Sequence, residues 1–433
     1  MIAGSLTSSD VLVIGGGISG VSSAYHLAKA GVAVTLIEED RIGGRVASSY
    51  GNMGLLVPSH ALPVASPGVV AKGLRWMLRS DSPFYIRPRW DRELLRWLRG
   101  FHAAATHERA VAAAPLLYRL QAASVDLYQA LGARLAKRAD LERTGALYLV
   151  REQAAWSELR EEAALLREAG VDAALLQADE VRERVPAAND SIIGGVFYRE
   201  DARVVPDRLV VELAELARRE GATIHEGVTV FRAVRDGGRG GGHGGRGSGR
   251  IREVYTSAGT LTPRQVVLAA GAWSPQLVAS LSLRLPIQPA KGYSITVERP
   301  DACPAIPTHL YEAKVVASPM GPGRMRLGGT LELAGMDRSV NPRRIQAILA
   351  AVPRYLNGLY DLRVLEIWRG LRPVTPDTLP IIGRPRHADN LLLATGHGMI
   401  GMSMGAITGQ IIARLATGED PGFDLTLLSP DRF

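Results

Sequence analysis

A glycine pattern near the amino terminus constrains the fold more than any other feature. Residues 15–20 read Gly-Gly-Gly-Ile-Ser-Gly and contain the spacing Gly-x-Gly-x-x-Gly, directly after the apolar run 11–14. Residues 18–30 then carry apolar side chains at helical spacing, and residues 32–37 form a second apolar run. This order predicts a strand, a tight turn, a helix and a second, parallel strand.

The turn is typical of a site for the pyrophosphate of a dinucleotide. Gly15 would make the sharp turn, Gly17 would let the backbone approach the phosphates, and Gly20 would let the helix pack closely on the strand. Ile18 and Ser19 open the helix, whose positive dipole end favours a bound anion. The alternative is a glycine-rich turn that binds no nucleotide.

Three consecutive acidic residues, 38–40, follow the second apolar run. Glu38 stands where an acid commonly binds the ribose hydroxyls of a dinucleotide, and Glu39 comes directly after it. A carboxylate at this position argues against a 2′-phosphate. From these residues alone, NAD and FAD both remain open as the cofactor.

Length and composition limit the remaining possibilities. The chain has 433 residues, of which 46% are apolar, so it can bury two cores and is not disordered throughout. Its one cysteine, Cys303, cannot form an internal disulfide. No uninterrupted apolar run reaches the 18 residues or so of a membrane span, and no export signal is visible, so a cytoplasmic location is expected. We find no spacing typical of a metal site.

In the rest of the chain, sequence patterns typical of helices alternate with patterns typical of strands. Helical structure is predicted over 103–185 and at 206–220, 341–357 and 399–416, and strands over 193–205 and at 223–230, 251–257, 266–270, 287–330 and 363–368. Residues 237–249 include nine glycines, which favours a flexible connection over an RNA-binding segment.

Several motifs resemble those of one known family. Residues 41–54 form a long polar run that contains Ser48-Ser49, Asn52 and Gly54. Further blocks are Ala-Gly-Ala-Trp-Ser at 270–274, Gly-Leu-Arg-Pro at 370–373 and Thr-Gly-His-Gly at 395–398. In these motifs the chain is similar to the D-amino-acid oxidase family of FAD-dependent oxidoreductases, over most of its length.

The resemblance implies FAD as the cofactor and an α/β fold. It implies a Rossmann-like FAD-binding domain from 1–57, 203–283 and 370–433, with an inserted substrate domain of antiparallel sheet and helices from 58–202 and 284–369. The cofactor contacts that it implies, beyond the glycine turn and Glu38-Glu39, are Arg45, Ser48, Ser49, Asn52, Met53, Gly54, Val228, Ala270, Gly271, Trp273, Gly370, Gly396, His397, Gly398, Met399 and Ile400. A positive charge on the histidine of this set would favour the reduced flavin.

The resemblance also implies an activity. A D-amino acid would be oxidised to an imino acid by hydride transfer to flavin N5, and the electrons would pass to a quinone-type acceptor. One alternative is a secondary amino acid (D-proline, hydroxyproline or sarcosine) as substrate, and another is oxygen as the electron acceptor. Outside this class, the alternatives are a flavoprotein subunit without catalytic function and a nucleic-acid-binding protein with a Rossmann module.

Four side chains are predicted to contact the substrate. In the family, the arginine that matches Arg372 clamps the substrate carboxylate, which suits the planar guanidinium; a structural salt bridge is the alternative. Tyr293, Tyr311 and His60 are predicted to lie near the same substrate, although strand tyrosines are often simply half-buried. Ala313 stands where the comparison leads us to expect a tyrosine.

Basic charge is concentrated in one stretch. Residues 72–99 hold eight basic and three acidic side chains, a net charge of +5, whereas the whole chain carries +8. With its tryptophans, the segment 72–101 is typical either of an amphipathic surface on an anionic membrane or of a helix pair with a solvated basic face. The first interpretation places the protein on the inner face of the cytoplasmic membrane. No nucleic-acid partner is expected.

Overall fold

The structure, a computed structural model, describes residues 9–66, 68–69, 73, 82, 84–236 and 249–433. It divides into two compact units. The first comprises Met1–Tyr50, Val210–Gln288 and Arg372–Phe433, and the second comprises Gly51–Leu209 and Pro289–Leu371. Both units contain sheets and helices, which confirms the predicted α/β class.

The described residues form the following elements. The strands are β1 Val11–Ile14, β2 Val34–Ile37, β3 Leu55–Leu56, β4 Phe84–Ile86, β5 Ala146–Val150, β6 Ala173–Gln177, β7 Gly194–Tyr198, β8 Ala202–Arg203, β9 Thr223–His225, β10 Val230–Arg235, β11 Ile251–Thr256, β12 Gly259–Leu261, β13 Gln265–Leu268, β14 Gln288–Glu298, β15 Thr308–Leu310, β16 Val315–Pro319, β17 Arg324–Leu333, β18 Val364–Val374, β19 Ile381–Gly383 and β20 Leu391–Thr395. The helices are α1 Ile18–Lys29, α2 Arg92–Ala104, α3 His107–Ala130, α4 Ala133–Ala139, α5 Gln153–Glu168, α6 Ala178–Arg184, α7 Pro206–Arg219, α8 Ser274–Ala279, α9 Pro342–Ala351 and α10 Gly401–Thr417.

A parallel sheet organises the first unit. Among the described residues its strand order is β19-β20-β13-β1-β2-β9, and β19 alone runs antiparallel. β1 and β2 are buried along their whole length. Their mainly apolar sequences predict this, because such sequences are typical of strands that are covered on both faces. The predicted β1–turn–α1–β2 order is confirmed, and the carboxyl end of β1 leads directly into the glycine turn.

An antiparallel-rich sheet organises the second unit. Its order over the described strands is β18-β14-β17-β16-β15-β5-β7-β6, and β4 pairs with the far end of β17. Successive side chains of a strand point to opposite faces. One face of this sheet is apolar and includes Ile295, Leu327 and Leu149 in a buried core cluster. The neighbouring positions Thr296, Arg326 and Tyr148 therefore lie on the other face, which is polar.

Three predictions about elements need correction. The segment 103–185 is not helical throughout, because it contains the strands β5 and β6. The predicted strand 223–230 breaks into β9 and β10, so that Val228 lies between strands. The predicted strand 193–205 is divided into the two strands β7 and β8.

The unit boundaries also differ from the predicted domain boundaries. The first unit ends at Tyr50 rather than at 57, and it resumes at Val210 rather than at 203. The reason is local pairing, because β3 pairs with β8 and thereby ties residues 55–56 to the second unit. The glycine-rich segment 237–248 and most of 70–81, including Trp76, lie outside the described residues.

Candidate active site

The glycine turn after β1 is packed too tightly for side chains at its two ends. A Cβ on Gly20 would collide with the carbonyl oxygen of Gly15, and a Cβ on Gly15 would lie 2.7 Å from the carbonyl oxygen of Ala269. At Gly17, by contrast, the nearest atom is Ser49 Oγ at 3.5 Å. Packing therefore explains the outer glycines, whereas the middle one leaves room on the side where a phosphate would approach.

A carboxylate lies beside this turn. Glu38 accepts hydrogen bonds from the backbone amide of Gly16 at 2.5 Å and from that of Asp40 at 3.0 Å. Burial raises the pKa of Glu38, although these two hydrogen bonds oppose the rise. The carbonyl of Glu38 accepts from Val228 at 2.9 Å, which brings Val228 to the same edge of the sheet. Glu39, the next residue, is exposed.

The loop 41–50 folds against the start of α1. Ser49 Oγ accepts a hydrogen bond from the amide of Ile18 at 3.1 Å, so the predicted serine contacts the helix terminus directly. Arg45 is exposed, with its guanidinium 5.9 Å from the ring centre of Tyr50, and Ser48 is half-buried. The half-buried Glu38 carboxylate, the space at Gly17 and the amides at the start of α1 together fit a dinucleotide.

Asn52, Met53 and Gly54 belong to the second unit. Asn52 Oδ1 accepts from the amides of Gly54 at 2.8 Å and of Leu55 at 3.3 Å, which makes a tight turn. Gly54 has a φ of +72°, and a Cβ there would collide with the carbonyl oxygen of Val204. Glycine is therefore required at this position by both conformation and space.

The end of β13 meets the end of β20 in the first unit. Thr395 Oγ1 donates to the carbonyl of Gly271 at 3.1 Å and lies 2.9 Å from Ser274 Oγ. Ala270 precedes the short helical turn Gly271–Trp273, and Trp273 is its last residue. The structure thus brings together two sequence blocks that are more than 120 residues apart in the chain.

The Gly-His-Gly turn lies next to the end of β18. The amide of Gly398 donates to the carbonyl of Pro373 at 2.9 Å, and His397 forms a β-bridge with Val374. Gly396 has a φ of +75°. Arg372 precedes this contact by one residue, and burial lowers the pKa of its guanidinium to about 10, so that it stays protonated at neutral pH. Ile400 caps α10, and Met399 is partly exposed.

The predicted positive charge on His397 needs correction. The side chain is 4% exposed, and its Nε2 lies 3.0 Å from Thr408 Oγ1. Burial lowers the pKa of His397 to about 4, because a desolvated site disfavours the imidazolium. The imidazole is therefore neutral near pH 7, and the positive potential at this turn comes from the backbone amides at the start of α10.

The structure gives a packing reason for the glycine at position 370 that the sequence did not reveal. A Cβ on Gly370 would collide with the indole ring of Trp368, and so would a Cβ on Gly51. Trp368 is buried between these two glycines of the second unit. The packing of Trp368 therefore gives a reason for glycine at 370, and the predicted cofactor contact of Gly370 stays a prediction.

The hydroxyls of both predicted substrate tyrosines are already bonded within the second unit. Tyr293 is 1% exposed; it donates to Glu332 at 2.8 Å and accepts from the amide of Asn341 at 3.2 Å. Glu332 also lies 3.2 Å from Lys291 Nζ. Tyr311 donates to Glu162 at 3.1 Å. These bonds give both tyrosines a structural role, and contact of either hydroxyl with the substrate stays a prediction.

His60 belongs to a buried polar cluster that the sequence did not predict. Its Nε2 lies 2.5 Å from the hydroxyl of Tyr148, whose ring stacks on His309 with the ring centres 4.0 Å apart. Burial lowers the pKa of His60 to about 4, so it is neutral at pH 7. Beside it, Ser59 donates to Asp201 through both its amide, at 3.1 Å, and its hydroxyl, at 2.7 Å. Burial raises the pKa of Asp201 to about 7.

The parallel sheet, the glycine turn and Glu38 define a dinucleotide-binding protein of the Rossmann type. A family model described as FAD dependent oxidoreductase (DAO) matches residues 10–415. The chain belongs to this family of FAD-dependent oxidoreductases, and FAD is its cofactor.

The chain is also similar to individual proteins over nearly its whole length. It is 35% identical to a D-amino acid dehydrogenase of Cereibacter sphaeroides over 98% of this chain and 95% of that protein. It is 34% identical to the D-amino acid dehydrogenase of Paramagnetospirillum magneticum, over 98% of each. The fold is similar to that of glycine oxidase from Geobacillus kaustophilus, with a TM-score of 0.78 and 23% identity over 99% of this chain and 100% of that one.

Proposed function

We propose that this protein is a D-amino acid dehydrogenase. It would oxidise a D-amino acid to the imino acid, which water then hydrolyses to a keto acid and ammonia. The observation that carries the proposal is the hydrogen bond from Gly398 to Pro373, which joins the residue after Arg372 to the turn that leads into α10, in the unit that also contains the dinucleotide turn. Full-length similarity to D-amino acid dehydrogenases supports the same activity.

Arg372 has the properties required to bind the substrate carboxylate. Its guanidinium keeps its charge at neutral pH, because even the lowered pKa of about 10 lies well above 7. A planar guanidinium binds a carboxylate through two parallel hydrogen bonds, which fixes the orientation as well as the position of the α-carbon. Pro373 and the bridge between Val374 and His397 restrain the backbone that carries it.

The first unit supplies the electrostatic environment for the reaction. The first turn of α10 has no acidic residue, so its backbone amides favour negative charge close to the Gly-His-Gly turn. FAD, when bound, supplies the two-electron acceptor for the substrate's α-carbon–hydrogen bond. His397 is neutral and buried, and it therefore orients the turn through Thr408 rather than adding charge.

Anaerobic reduction of the bound flavin tests the activity. The purified holoprotein would be mixed with D-amino acids, their L-enantiomers, D-proline, hydroxyproline and sarcosine, and bleaching of the flavin absorbance would be followed. We expect bleaching by primary D-amino acids and by none of the L-enantiomers. Flavin that bleaches only with secondary amino acids would replace the proposed substrate class, and flavin that bleaches with nothing would remove the activity.

The proposed electron acceptor is a membrane quinone, reached through the outer face of α2. Leu94 and Trp97 of this helix are buried, and the Trp97 ring stacks on Phe101, so these side chains serve packing. Trp90, however, is 98% exposed and Leu95 is 47% exposed. Arg92, Arg96 and Arg99 of the same helix are exposed, and Arg96 forms an ion pair with Glu93 at 2.8 Å. Among the described residues, no helix is long and apolar enough to cross a bilayer.

Binding to vesicles tests this surface, which we place on the inner face of the cytoplasmic membrane. An exposed tryptophan among arginines is typical of peripheral contact with anionic lipid. We expect co-sedimentation with phosphatidylglycerol vesicles but not with phosphatidylcholine vesicles, and a several-fold loss in Trp90→Ala. Phe231→Ala, which removes a 65% exposed aromatic of the first unit, is the matched control. A wild-type protein that stays in the supernatant with both lipids would contradict the proposal.

A further inference from the structure

A short segment of the second unit is held from two sides. The first restraint on residues 52–54 is a hydrogen bond, in which the amide of Val204 donates to the carbonyl of Gly54 at 2.9 Å. The residues that follow are held by the pairing of β3 with β8. On the other side, residues 52–54 lie against the polar face of the large sheet, at strand β17. Two residues of β17, Arg326 and Gly328, make that second contact.

Arg326 binds the main chain of this segment. Its Nη1 donates to the carbonyl oxygen of Asn52 at 2.7 Å, and its Nε donates to Thr296 Oγ1 on the neighbouring strand at 3.2 Å. The side chain is only 2% exposed. A buried guanidinium is costly unless it is hydrogen-bonded, so its direction is set firmly by these acceptors.

The bond to Asn52 fixes the orientation of a whole peptide group. In a trans peptide, the carbonyl of one residue and the amide N–H of the next point in opposite directions. Since the Asn52 carbonyl points toward Arg326, the Met53 amide points away from β17. Asn52 and Met53 are among the residues for which the resemblance to the D-amino-acid oxidase family implies a contact with FAD.

Gly328 controls the Met53 side chain. It shares a strand face with Arg326 because it is two residues further along β17. A Cβ on Gly328 would collide with Met53 Sδ, so the thioether occupies the space that a side chain would fill. On the neighbouring strand, Ser294 pairs with Gly328, and its buried Oγ has no hydrogen-bond partner among the described residues.

We infer that Arg326 is a positioning residue for the cofactor: it orients the Asn52–Met53 peptide, with Gly328 making room for Met53, so that this segment meets the flavin. The inference rests on the proposed function, because it takes FAD as the ligand of the segment. Arg326 itself contacts the segment and not the reacting atoms, so its effect on catalysis is indirect.

The test uses the holoprotein with two readouts besides activity, namely the dissociation constant of FAD and the flavin absorbance spectrum. We expect Arg326→Met to raise the dissociation constant about tenfold or more, since a buried charge-assisted hydrogen bond is lost, and to shift the flavin bands. Arg89→Met is the matched control, because Arg89 donates to the carbonyl of Leu333 at 2.8 Å, at the far end of the same strand. The control should retain the wild-type spectrum.

A second pair of variants separates positioning from general loss of stability. Gly328→Ala should displace Met53 and shift the flavin spectrum, whereas in a Met53→Ala background the same change should have little further effect. Should Arg326→Met fail to fold, as judged by circular dichroism, Arg326→Lys decides by the same readouts, because it keeps the charge but loses the fork geometry.

The outcomes also distinguish this inference from the proposed activity. A wild-type spectrum and dissociation constant in folded Arg326→Met or Arg326→Lys would overturn the inference alone. A wild-type protein that binds FAD but oxidises no D-amino acid would remove the proposed activity, while the two flavin readouts would still decide on Arg326.

Discussion

The backbone amide of Gly398 donates a 2.9 Å hydrogen bond to the carbonyl oxygen of Pro373. This single bond ties the turn before α10 to the residue that follows Arg372, across 24 intervening positions of the chain. It joins the strand end that carries Arg372 to the turn that leads into α10. In the proposed reaction, Arg372 binds the substrate carboxylate.

Removing the guanidinium should weaken substrate binding far more than cofactor binding. Each hydrogen bond to a charged group contributes about 1.5–3 kcal/mol, so the loss of a two-bond clamp in Arg372→Leu should raise KM for D-amino acids by roughly 100-fold or more. FAD content should stay at the wild-type level, as measured by the ratio of flavin to protein absorbance. A KM that remains within twofold of wild type would remove Arg372 from this role.

The carboxylate at the glycine turn should control FAD affinity. Glu38 accepts from two backbone donors, Gly16 and Asp40, whereas a glutamine offers one acceptor oxygen and one donor. Glu38→Gln should therefore raise the dissociation constant of FAD about tenfold, measured by fluorescence titration of the apoprotein. Glu215→Gln, on α7, is the control for a change of charge away from the turn, and equal effects of the two changes would contradict the assignment.

Local sequence signals predicted the cofactor half of the fold well. The β1–turn–α1–β2 order depends on residues close together in the chain, and the structure has these elements where the pattern placed them. The strand β5, Ala-Leu-Tyr-Leu-Val, was assigned to a helical region, because its pairing with β15 and β7 comes from residues far away in sequence.

The buried polar clusters were unpredictable for a related reason. Ser59 and Asp201 are 142 positions apart, and no spacing pattern connects them. Likewise, the contact of Arg326 with Asn52 joins positions that are 274 apart. A sequence motif identifies residues that lie together in one turn or at one strand end. Residues that hold a distant segment in place can be recognised only in the structure, where the sheet brings them together.

The buried Asp201 should make stability depend on pH in an unusual direction. Its folded-state pKa, raised to about 7 from an ordinary value of 3.8, means that the folded protein keeps a proton that the unfolded chain has released. Stability from this group therefore falls as the pH rises from about 4 to about 7, by at most ~1.4 kcal/mol per pH unit. Above that range the contribution is constant.

The comparison of Asp201→Asn with wild type isolates this effect. Buried His60 and His397, with pKa values lowered to about 4, act in the opposite direction between about pH 4 and 6.5, but both proteins contain them. We expect the wild-type Tm to fall relative to that of Asp201→Asn between pH 5 and pH 8. Asp301 is exposed, so the Tm of Asp301→Asn should follow that of the wild type at every pH. Parallel curves of Tm against pH for the wild type and Asp201→Asn would show that Asp201 does not titrate in this range.

Tyr293→Phe separates the structural role seen here from the substrate role that sequence reasoning predicted. The hydroxyl bonds to Glu332 and Asn341 at a site that is almost fully buried, so its loss leaves a carboxylate oxygen with one donor fewer. The expected cost is about 1–3 kcal/mol of unfolding free energy, measured by urea denaturation, with KM and kcat within twofold of wild type. Tyr255→Phe removes a more exposed hydroxyl that donates to Glu253, and it should cost less. If Tyr293→Phe instead lowers kcat/KM strongly at unchanged stability, the hydroxyl acts on the substrate, and the structural interpretation of the Glu332 bond is wrong.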